Sequence, residues 1–471
     1  MKRAVLLCVR CASIAVSFAV LADSIRAQDA PALSPAEQQA RTIFERLISF
    51  RTAQGQGQVP AMVDYIAETL RAGGVSAEDI VILPHEETAG LLVRVPGSDP
   101  AARPILFSGH MDVVDARPED WERNPFQLIE QDGYFFGRGT GDNKAGIASM
   151  VSTILRLRAD DHRPRRTLVF AFVGDEETTF GTTRLIAAHD WVRNSEYAIN
   201  TDAGGGSLSE DGRPTGYWVQ GAEKAYASFR MTIRNPGGHS SRPRADNAIY
   251  ELAQALLRVQ AIRHPVMTNE LTLIGIRQDA ETEGGERGRL LARFADDPAD
   301  AEALAVLTRD PMFLVDVGTT CVATMLTAGH AENALPQRAE ATVNCRIFPG
   351  DSVEAVLARL NSAVANPEAM IEVMGNPAVS PVSEPRPDVM AAIARSIREH
   401  HPELPVTPYQ EAGATDGLIY RTAGIPTYAS SGIFIKGSDI FYHGLNERIP
   451  VASFYGAIDH IHDLAVELGG Q

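Results

Sequence analysis

The sequence predicts an α/β fold with a mixed, largely parallel sheet, interrupted by a smaller inserted α+β domain. Three observations point there. Apolar runs of strand length, Pro104–Ser108, Leu168–Val173 and Tyr197–Asn200, stand among amphipathic helical stretches, as in a sheet whose faces are covered by helices. Near Ala222 the texture changes to an alternating strand, followed by helix, strand and strand. After Pro349-Gly350 it returns to α/β, which makes the main domain discontinuous. With 471 residues, 44% of them hydrophobic and 22% charged, the chain has the size and the core for two domains.

Residues 1–27 read as an export signal. Lys2, Arg3 and Arg10 accompany the apolar stretch Cys11–Ala22, and Ser24-Ile25-Arg26-Ala27 offers a small residue for cleavage. That stretch falls short of the ~20 residues needed to span a bilayer. The expectation is a mature chain from about Gln28, periplasmic or secreted, with no membrane segment. Formal net charge is −17, and without residues 1–27, which hold a net +3, it is −20. Such acidity argues against a nucleic-acid partner, whose phosphates need a basic face.

The main domain opens with a helix over Pro35–Phe50 capped by Ser34, then a second over Val59–Ala72 that stops at Gly73-Gly74. Phe126–Gln131 and Tyr134–Gly137 flank Asp132-Gly133, a hairpin turn. Gly139–Gly141 leads into a helix over Lys144–Arg158, with Ile147, Met150, Val151, Ile154 and Leu155 at helical spacing. The insert runs over 225–347, between main-domain parts at 28–224 and 348–471. It holds the strand Ala225–Arg234, a turn at Pro236–His239, the helix Ala245–Ala261, a polar stretch Gln278–Arg289 and a helical Asp300–Thr308. Two strands, Thr319–Thr327 and Glu340–Phe348, close it. Helices over Val353–Ala363, Met390–His400 and Ala452–Leu468 complete the chain.

Cys8 and Cys11 leave with the signal, so the mature chain keeps Cys321 and Cys345. A hairpin of their two strands would bring them close, and an exported setting permits a disulfide. The expectation here is two buried free thiols.

Chemistry collects at the ends of the apolar runs. Pro104–Ser108 leads to His110 and Asp112, Leu168–Val173 to Glu176-Glu177, and Tyr197–Asn200 to Asp202, while Asp142 enters a helix and His443 comes late. Ligands gather just outside the carboxyl ends of strands in open α/β sheets. A set made only of nitrogen and oxygen suits zinc or a similar borderline ion, cobalt or manganese included. Paired glutamates offer one ligand and one general base. A silent metal- or peptide-binding protein would have no use for that spare base.

The segments SGHMDVVD (108–115), GRGTGDNKAG (137–146), VGDEE (173–177), NTDAGGG (200–206), GGHSSRP (237–243), ENALP (332–336) and YHGLNERIP (442–450) together resemble the co-catalytic zinc metallopeptidases of family M20. That family includes carboxypeptidase S, succinyl-diaminopimelate desuccinylase, acetylornithine deacetylase and aminoacylase. The resemblance covers nearly all of residues 40–465, and the hairpin around Cys321 and Cys345 looks most like the carboxypeptidase S branch. It implies a zinc-peptidase-like catalytic domain with a lid and dimerisation insert, and two zinc ions. His110 and Asp202 would hold one ion, Glu177 and His443 the other, and Asp142 would bridge them. Asp112 would hold the second imidazole nitrogen of His110. Glu176 would be the general base, and His239 a lid histidine that reaches a partner subunit's site in a homodimer. Asn333, Arg346, Gly413 and Asp416 match substrate-binding positions. The implied reaction is hydrolysis of an amide bond in a small peptide or an N-acyl amino acid.

Overall fold

The computed structural model describes residues 33–470; the predicted signal and the first mature residues lie outside them. A ten-stranded mixed sheet forms the main body. Its order is Ile80–His85, Thr88–Val95, Leu168–Val173, Ile105–His110, Tyr197–Asn200, Thr427–Ala429, Pro214–Glu223, Gly205–Leu208 and Phe434–Lys436, with Val406–Glu411 beside Pro214–Glu223. The four strands from Leu168–Val173 to Thr427–Ala429 are mutually parallel, so their carboxyl ends share one edge.

The central strands are apolar on both faces because helices cover both. On one face Phe107, Phe170 and Tyr197 pack with Phe44, Ile66, Ile154, Phe454 and Ile461 from helices Pro35–Ile48, Val59–Ala72, Lys144–Ala159 and Val451–Gly469. On the other, Leu106, Val169 and Ala171 meet Ile186, Leu418 and Tyr420 from the short helices Gly181–Ala188 and Gly417–Thr422. Each fully buried large apolar side chain contributes about 1.5–3 kcal/mol, which makes this sheet the rigid platform of the molecule. The first helix begins with a capping box in which Ser34 and Glu37 bond each other's backbone. Among the described residues no helix is long and apolar enough to cross a membrane.

The insert is a four-stranded antiparallel sheet ordered Thr320–Ala328, Arg338–Ile347, Ala225–Arg234 and Ala369–Met374. Alternation in the strand Ala225–Arg234 turns Phe229, Met231 and Ile233 toward helices Ala248–Gln260 and Val353–Val364. This sheet extends past Ile347, where the sequence reading ended the insert. Residues Ala369–Met374 pair with Ile233–Ser228, so the helix and strand after Pro349-Gly350 still belong to the insert. A turn is a local signal, whereas membership of a sheet is set by long-range pairing.

The polar stretch Gln278–Arg289 is also helical. Helices Glu270–Glu283 and Gly285–Asp296 are joined at Gly284, whose φ of 61° lies in the left-handed region. With the helices Ala301–Leu307 and Pro311–Asp316 they enclose a separate core of Ile276, Leu291, Phe294, Leu307 and Phe313. Their apolar stripe is narrow, and the charged residues between its members conceal it in the sequence.

Cys321 and Cys345 form a disulfide, which overturns the expectation of two free thiols. They stand directly opposite each other in the antiparallel register, where side chains of facing residues meet. That register is set by the whole hairpin, beyond the reach of a reading of either strand alone. The bond closes a loop across a sequence separation of 24 and staples the edge strand to its neighbour. Cys321→Ser is expected to cost about 2–4 kcal/mol and to lower the melting of the insert in calorimetry. An unchanged thermogram would show that the edge strand needs no staple.

Candidate metal centre

The parallel edge of the sheet brings the site together. Ser108 is level with Asn200, and His110 with Val173, so residues just past those strand ends arrive side by side. Asp142 reaches the same place from the loop before helix Lys144–Ala159. Its neighbour Asn143 is buried, donating from Nδ2 to the Thr201 carbonyl at 2.9 Å and accepting from Thr201 Oγ1 at 2.9 Å. The Asp142 loop and the Asp202 loop are thereby bound to each other. Gly109 and Gly146 border this contact, and a Cβ at either would strike Thr201 Oγ1 and Asn143 Oδ1. Only glycine permits so close an approach.

Two imidazoles share the Asp142 carboxylate. His110 Nε2 lies 2.8 Å from Asp142 Oδ1 and 3.0 Å from Asp202 Oδ1. His443 Nε2 lies 3.0 Å from Asp142 Oδ2 and 3.0 Å from Glu177 Oε1. Donors about 2.0–2.1 Å from one tetrahedral zinc sit roughly 3.3 Å apart, so each half is a nitrogen-and-oxygen set of the right size for a divalent ion. Donor atoms of His110, Asp142 and Glu177 lie within 4.8 Å of one another, as do those of His110, Glu176 and Asp202. The residues fit a metal, and Glu176 stands at the edge of the set.

The charges support the same conclusion. Burial alone would lower His110, but the Asp202 charge and bonds to Asp112, Asp142 and Asp202 hold it well above its ordinary value. Burial, reinforced by Asp142 and Glu177 and opposed by His110, pushes Asp202 up to about 7. Burial also raises Glu176 well above its usual range, against His110 and with help from Asp202, Asp416 and Glu177. His443 rises to about 10 through its bonds to Asp142 and Glu177. Too many carboxylates share a dry pocket, and a cation among them relieves every one of these shifts.

The profile described as Peptidase family M20/M25/M40 matches residues 106–467. The chain belongs to that family. It is similar to human N-fatty-acyl-amino acid synthase/hydrolase PM20D1, 28% identical over 382 residues that span 79% of this chain and 76% of that protein. Probable carboxypeptidase S-like 2 of Dictyostelium discoideum is 26% identical over 389 residues, 79% of this chain and 73% of its own. Among solved structures, the M20 family metallo-carboxypeptidase Sso-CP2 of Sulfolobus solfataricus matches with a TM-score of 0.67 at 19% identity, over 90% of this chain and 98% of that one. The dipeptidase Dug1p of Saccharomyces cerevisiae matches with a TM-score of 0.64 at 17% identity, over 91% and 95%. These last two speak for the fold. The protein is an M20 metallo-hydrolase, as its motifs led us to expect.

Two carboxylates brace this M20 site without sitting in the donor set. The family resemblance assigns the Asp112 carboxylate to the second imidazole nitrogen of His110. Here that nitrogen is 3.0 Å from the Asp112 main-chain oxygen and 3.5 Å from the carboxylate. The carboxylate oxygens accept instead from the Glu176 and Glu177 N–H groups, at 3.1 and 3.0 Å. Asp112 therefore holds both ends of the connection between His110 and the paired glutamates. Asp175 is turned away, its carboxylate accepting from Gly181 and Thr182 at the start of the next helix.

The second brace, Glu447, lies inside the segment YHGLNERIP but had no role in the sequence reading. It is fully buried. Oε2 accepts from Arg138 Nη1 at 2.8 Å and the Gly139 N–H at 2.9 Å, and Oε1 from the N–H groups of Gly141 and Asp142 at 2.8 and 3.2 Å. Arg138 also donates to the Gly444 carbonyl at 3.0 Å. One ion pair thus ties the Asp142 loop to the His443 loop, where His443 itself has a φ of 61°, costing about 1–2 kcal/mol. A glutamate following asparagine gives no such warning in sequence, because its four partners are hundreds of residues away.

The substrate-binding expectations fall in several places. His239 is exposed on a short strand paired with Ala334-Leu335, and the Asn333 carbonyl accepts from the Ser240 N–H at 3.0 Å. These two share a corner of the insert. Arg346 lies on the insert sheet with its guanidinium 4.9 Å from the Tyr226 ring centre. The Gly413 N–H bonds Glu411 at 3.2 Å. Asp416 is fully buried and accepts from Thr183 at 2.5 Å; burial raises its carboxyl, against His110 and with help from Asp202, and its charge adds to the rise at Glu176. It has no exposed surface to offer a substrate.

Glu447→Ala would strand Arg138 and three main-chain N–H groups in the interior. The expected cost is about 3–5 kcal/mol, with metal content falling in step, measured by denaturant unfolding and elemental analysis. Wild-type values for both would remove Glu447 from the scaffold of the site.

Proposed function

We propose that this protein is an exported, di-zinc M20 hydrolase that cleaves the amide bond next to a free amino-acid carboxylate, acting as a carboxypeptidase on small peptides. The observation that carries this reading is Glu176. It is buried within reach of the His110 and Asp202 donors, while His110, Asp142 and Asp202 on one side and His443, Asp142 and Glu177 on the other already gather without it. Paired zinc ions would polarise the scissile carbonyl and make water easier to deprotonate. Glu176 takes the proton from the attacking water and passes it to the leaving nitrogen. Asp112, through its bonds to the Glu176 and Glu177 N–H groups, keeps the base aimed. His110, Asp142 and Asp202 would hold one ion, and Asp142, Glu177 and His443 the other. Cobalt and manganese suit the same donors.

A second reading has an observation of its own. The human relative named for N-fatty-acyl-amino acids is as similar to this chain as the carboxypeptidase S-like relative, which favours an N-acyl-amino-acid amidohydrolase working through the same residues. Export is supported by the signal-like N-terminus and by the Cys321–Cys345 disulfide, a bond that persists in oxidising compartments. A homodimer is supported by the insert's exposed edge strand, with Val322, Met325 and Leu326 in solvent, and by exposed Tyr250 and Leu257 on the adjoining helix. In that assembly His239 would act on the partner's site, with Asn333 and Arg346 holding the substrate's carboxylate and Gly413 the loop beside it.

Glu176→Gln should keep its metals yet lose about 10²–10⁴-fold in turnover on dipeptides or N-acyl amino acids. Near-normal turnover at full metal content would exclude Glu176 as the base. A chelator should abolish wild-type activity, and zinc should restore it; hydrolysis that survives chelation contradicts the metal mechanism. For the lid, His239→Ala protein mixed with Glu176→Gln protein should regain activity once subunits exchange. Silence despite proven exchange, or a fully active monomer, would rule out the trans arrangement.

A further inference from the structure

His460 stands on the buried face of helix Val451–Gly469, is 3% exposed, and has a partner at each ring nitrogen. Nδ1 is 2.9 Å from Ser396 Oγ on helix Pro387–His400, and Nε2 is 2.8 Å from Ser430 Oγ just past strand Thr427–Ala429. Burial pushes the imidazole down to about 3, so it is neutral and carries one ring proton. Ser396 Oγ donates to Asp463 Oδ2 at 2.9 Å, which leaves it an acceptor toward Nδ1. The proton therefore sits on Nδ1, and Nε2 accepts from Ser430. Ser430 Oγ accepts in turn from the Tyr217 O–H at 2.8 Å, and the Tyr217 oxygen accepts the Gly432 N–H at 2.9 Å. One directed chain of hydrogen bonds thus runs from Gly432 to Asp463, and every member but Asp463 is buried.

The segment anchored by this chain, Ser430–Ile433, lies along the loop that carries Asp202. The Ser430 N–H donates to the Asn200 carbonyl at 2.9 Å and Ser431 Oγ to the Gly204 carbonyl at 2.8 Å, one on either side of Asp202. The Gly206 N–H donates to the Ile433 carbonyl at 2.8 Å. Within the loop, Asn200 Oδ1 accepts from the Asp202 N–H at 2.8 Å. On its far side the segment is pressed against the helix, where a Cβ at Gly432 would lie 2.7 Å from Ala457 Cα and 3.0 Å from His460 Cβ. That contact leaves no room for closer approach, and the bonds of Ser430 and Tyr217 oppose movement away. Glu177 and the His443 loop have supports of their own, in Asp112 and in the Arg138–Glu447 pair.

We propose that His460 is a positioning residue for Asp202, holding the loop of that metal donor through Ser430 and the segment that follows it. This role rests on the two-metal reading and names what aligns one of its halves. A histidine that only packed the helix would affect folding alone. One that positions Asp202 sets the affinity of the His110–Asp202 half and leaves the Glu177–His443 half as it was.

The zinc-loaded protein is titrated with a chromophoric chelator, which reads the two affinities, and the cobalt-loaded protein gives a visible spectrum. Asp202→Ala and His443→Ala mark which affinity and which band belong to which half. His460→Phe should weaken the Asp202 half about 10–100-fold, keep the other within about twofold, and shift the Asp202-side cobalt band. His460→Gln, whose amide offers one donor and one acceptor, should return affinity and band to near wild type. Ser430→Ala breaks the same bond from its other end with the helix untouched and should weaken the same half. It decides the question where His460→Phe does not fold. Wild-type affinities in the folded variants, or an equal fall in both halves, overturn the positioning role. Wild-type protein that binds fewer than two ions overturns the two-metal reading instead, and the role of His460 with it.

Discussion

The carboxylate of Asp142 lies between two imidazoles, one oxygen to each, and much of the architecture exists to keep it there. A side chain with two freely rotating bonds would not hold such a position unaided. Asn143 and Thr201 fasten its loop to the Asp202 loop, Glu447 accepts from its own N–H, and Gly109 and Gly146 allow the backbones to come within contact. The helix that follows is buried on nearly all sides, so the loop cannot relax outward. Apart from the Nε of Arg138 behind Glu447, these supports are polar and satisfy one another, which lowers the cost of holding them in the interior.

Electrostatic tension at this point is the natural consequence. Parallel strands deliver Asp112, Glu176, Glu177 and Asp202 to one edge, and burial removes the water that would screen them. Burial raises the carboxyls of Glu176 and Asp202, while the carboxylates around His110 hold that imidazole above its ordinary value. Crowding of this kind suits a cation among the donors, and Glu176 stands in it with a raised proton affinity.

The insert contributes on two fronts. Its sheet presents His239 and Asn333 in one exposed corner and is stapled at its edge by a disulfide. Its helices travel in the opposite direction and build onto the main sheet. A core around Ile276 and Phe294 packs these helices together where they meet the main sheet.

The sequence by itself marked the three central strands of the main sheet, the long helices of the main domain and the histidines and carboxylates that gather at the strand ends. Each of these is encoded locally: an apolar run followed by a histidine or carboxylate, or a cap followed by a periodic stripe. Pairing between distant segments carried the remainder. It placed Ala369–Met374 in the insert sheet, joined Cys321 to Cys345, and turned a charged stretch into helices around Phe294. It also turned Asp416 inward and gave Glu447 its four partners. Contacts of this kind depend on which residues lie opposite one another after the chain has closed, and neighbouring residues in the chain hold no record of that.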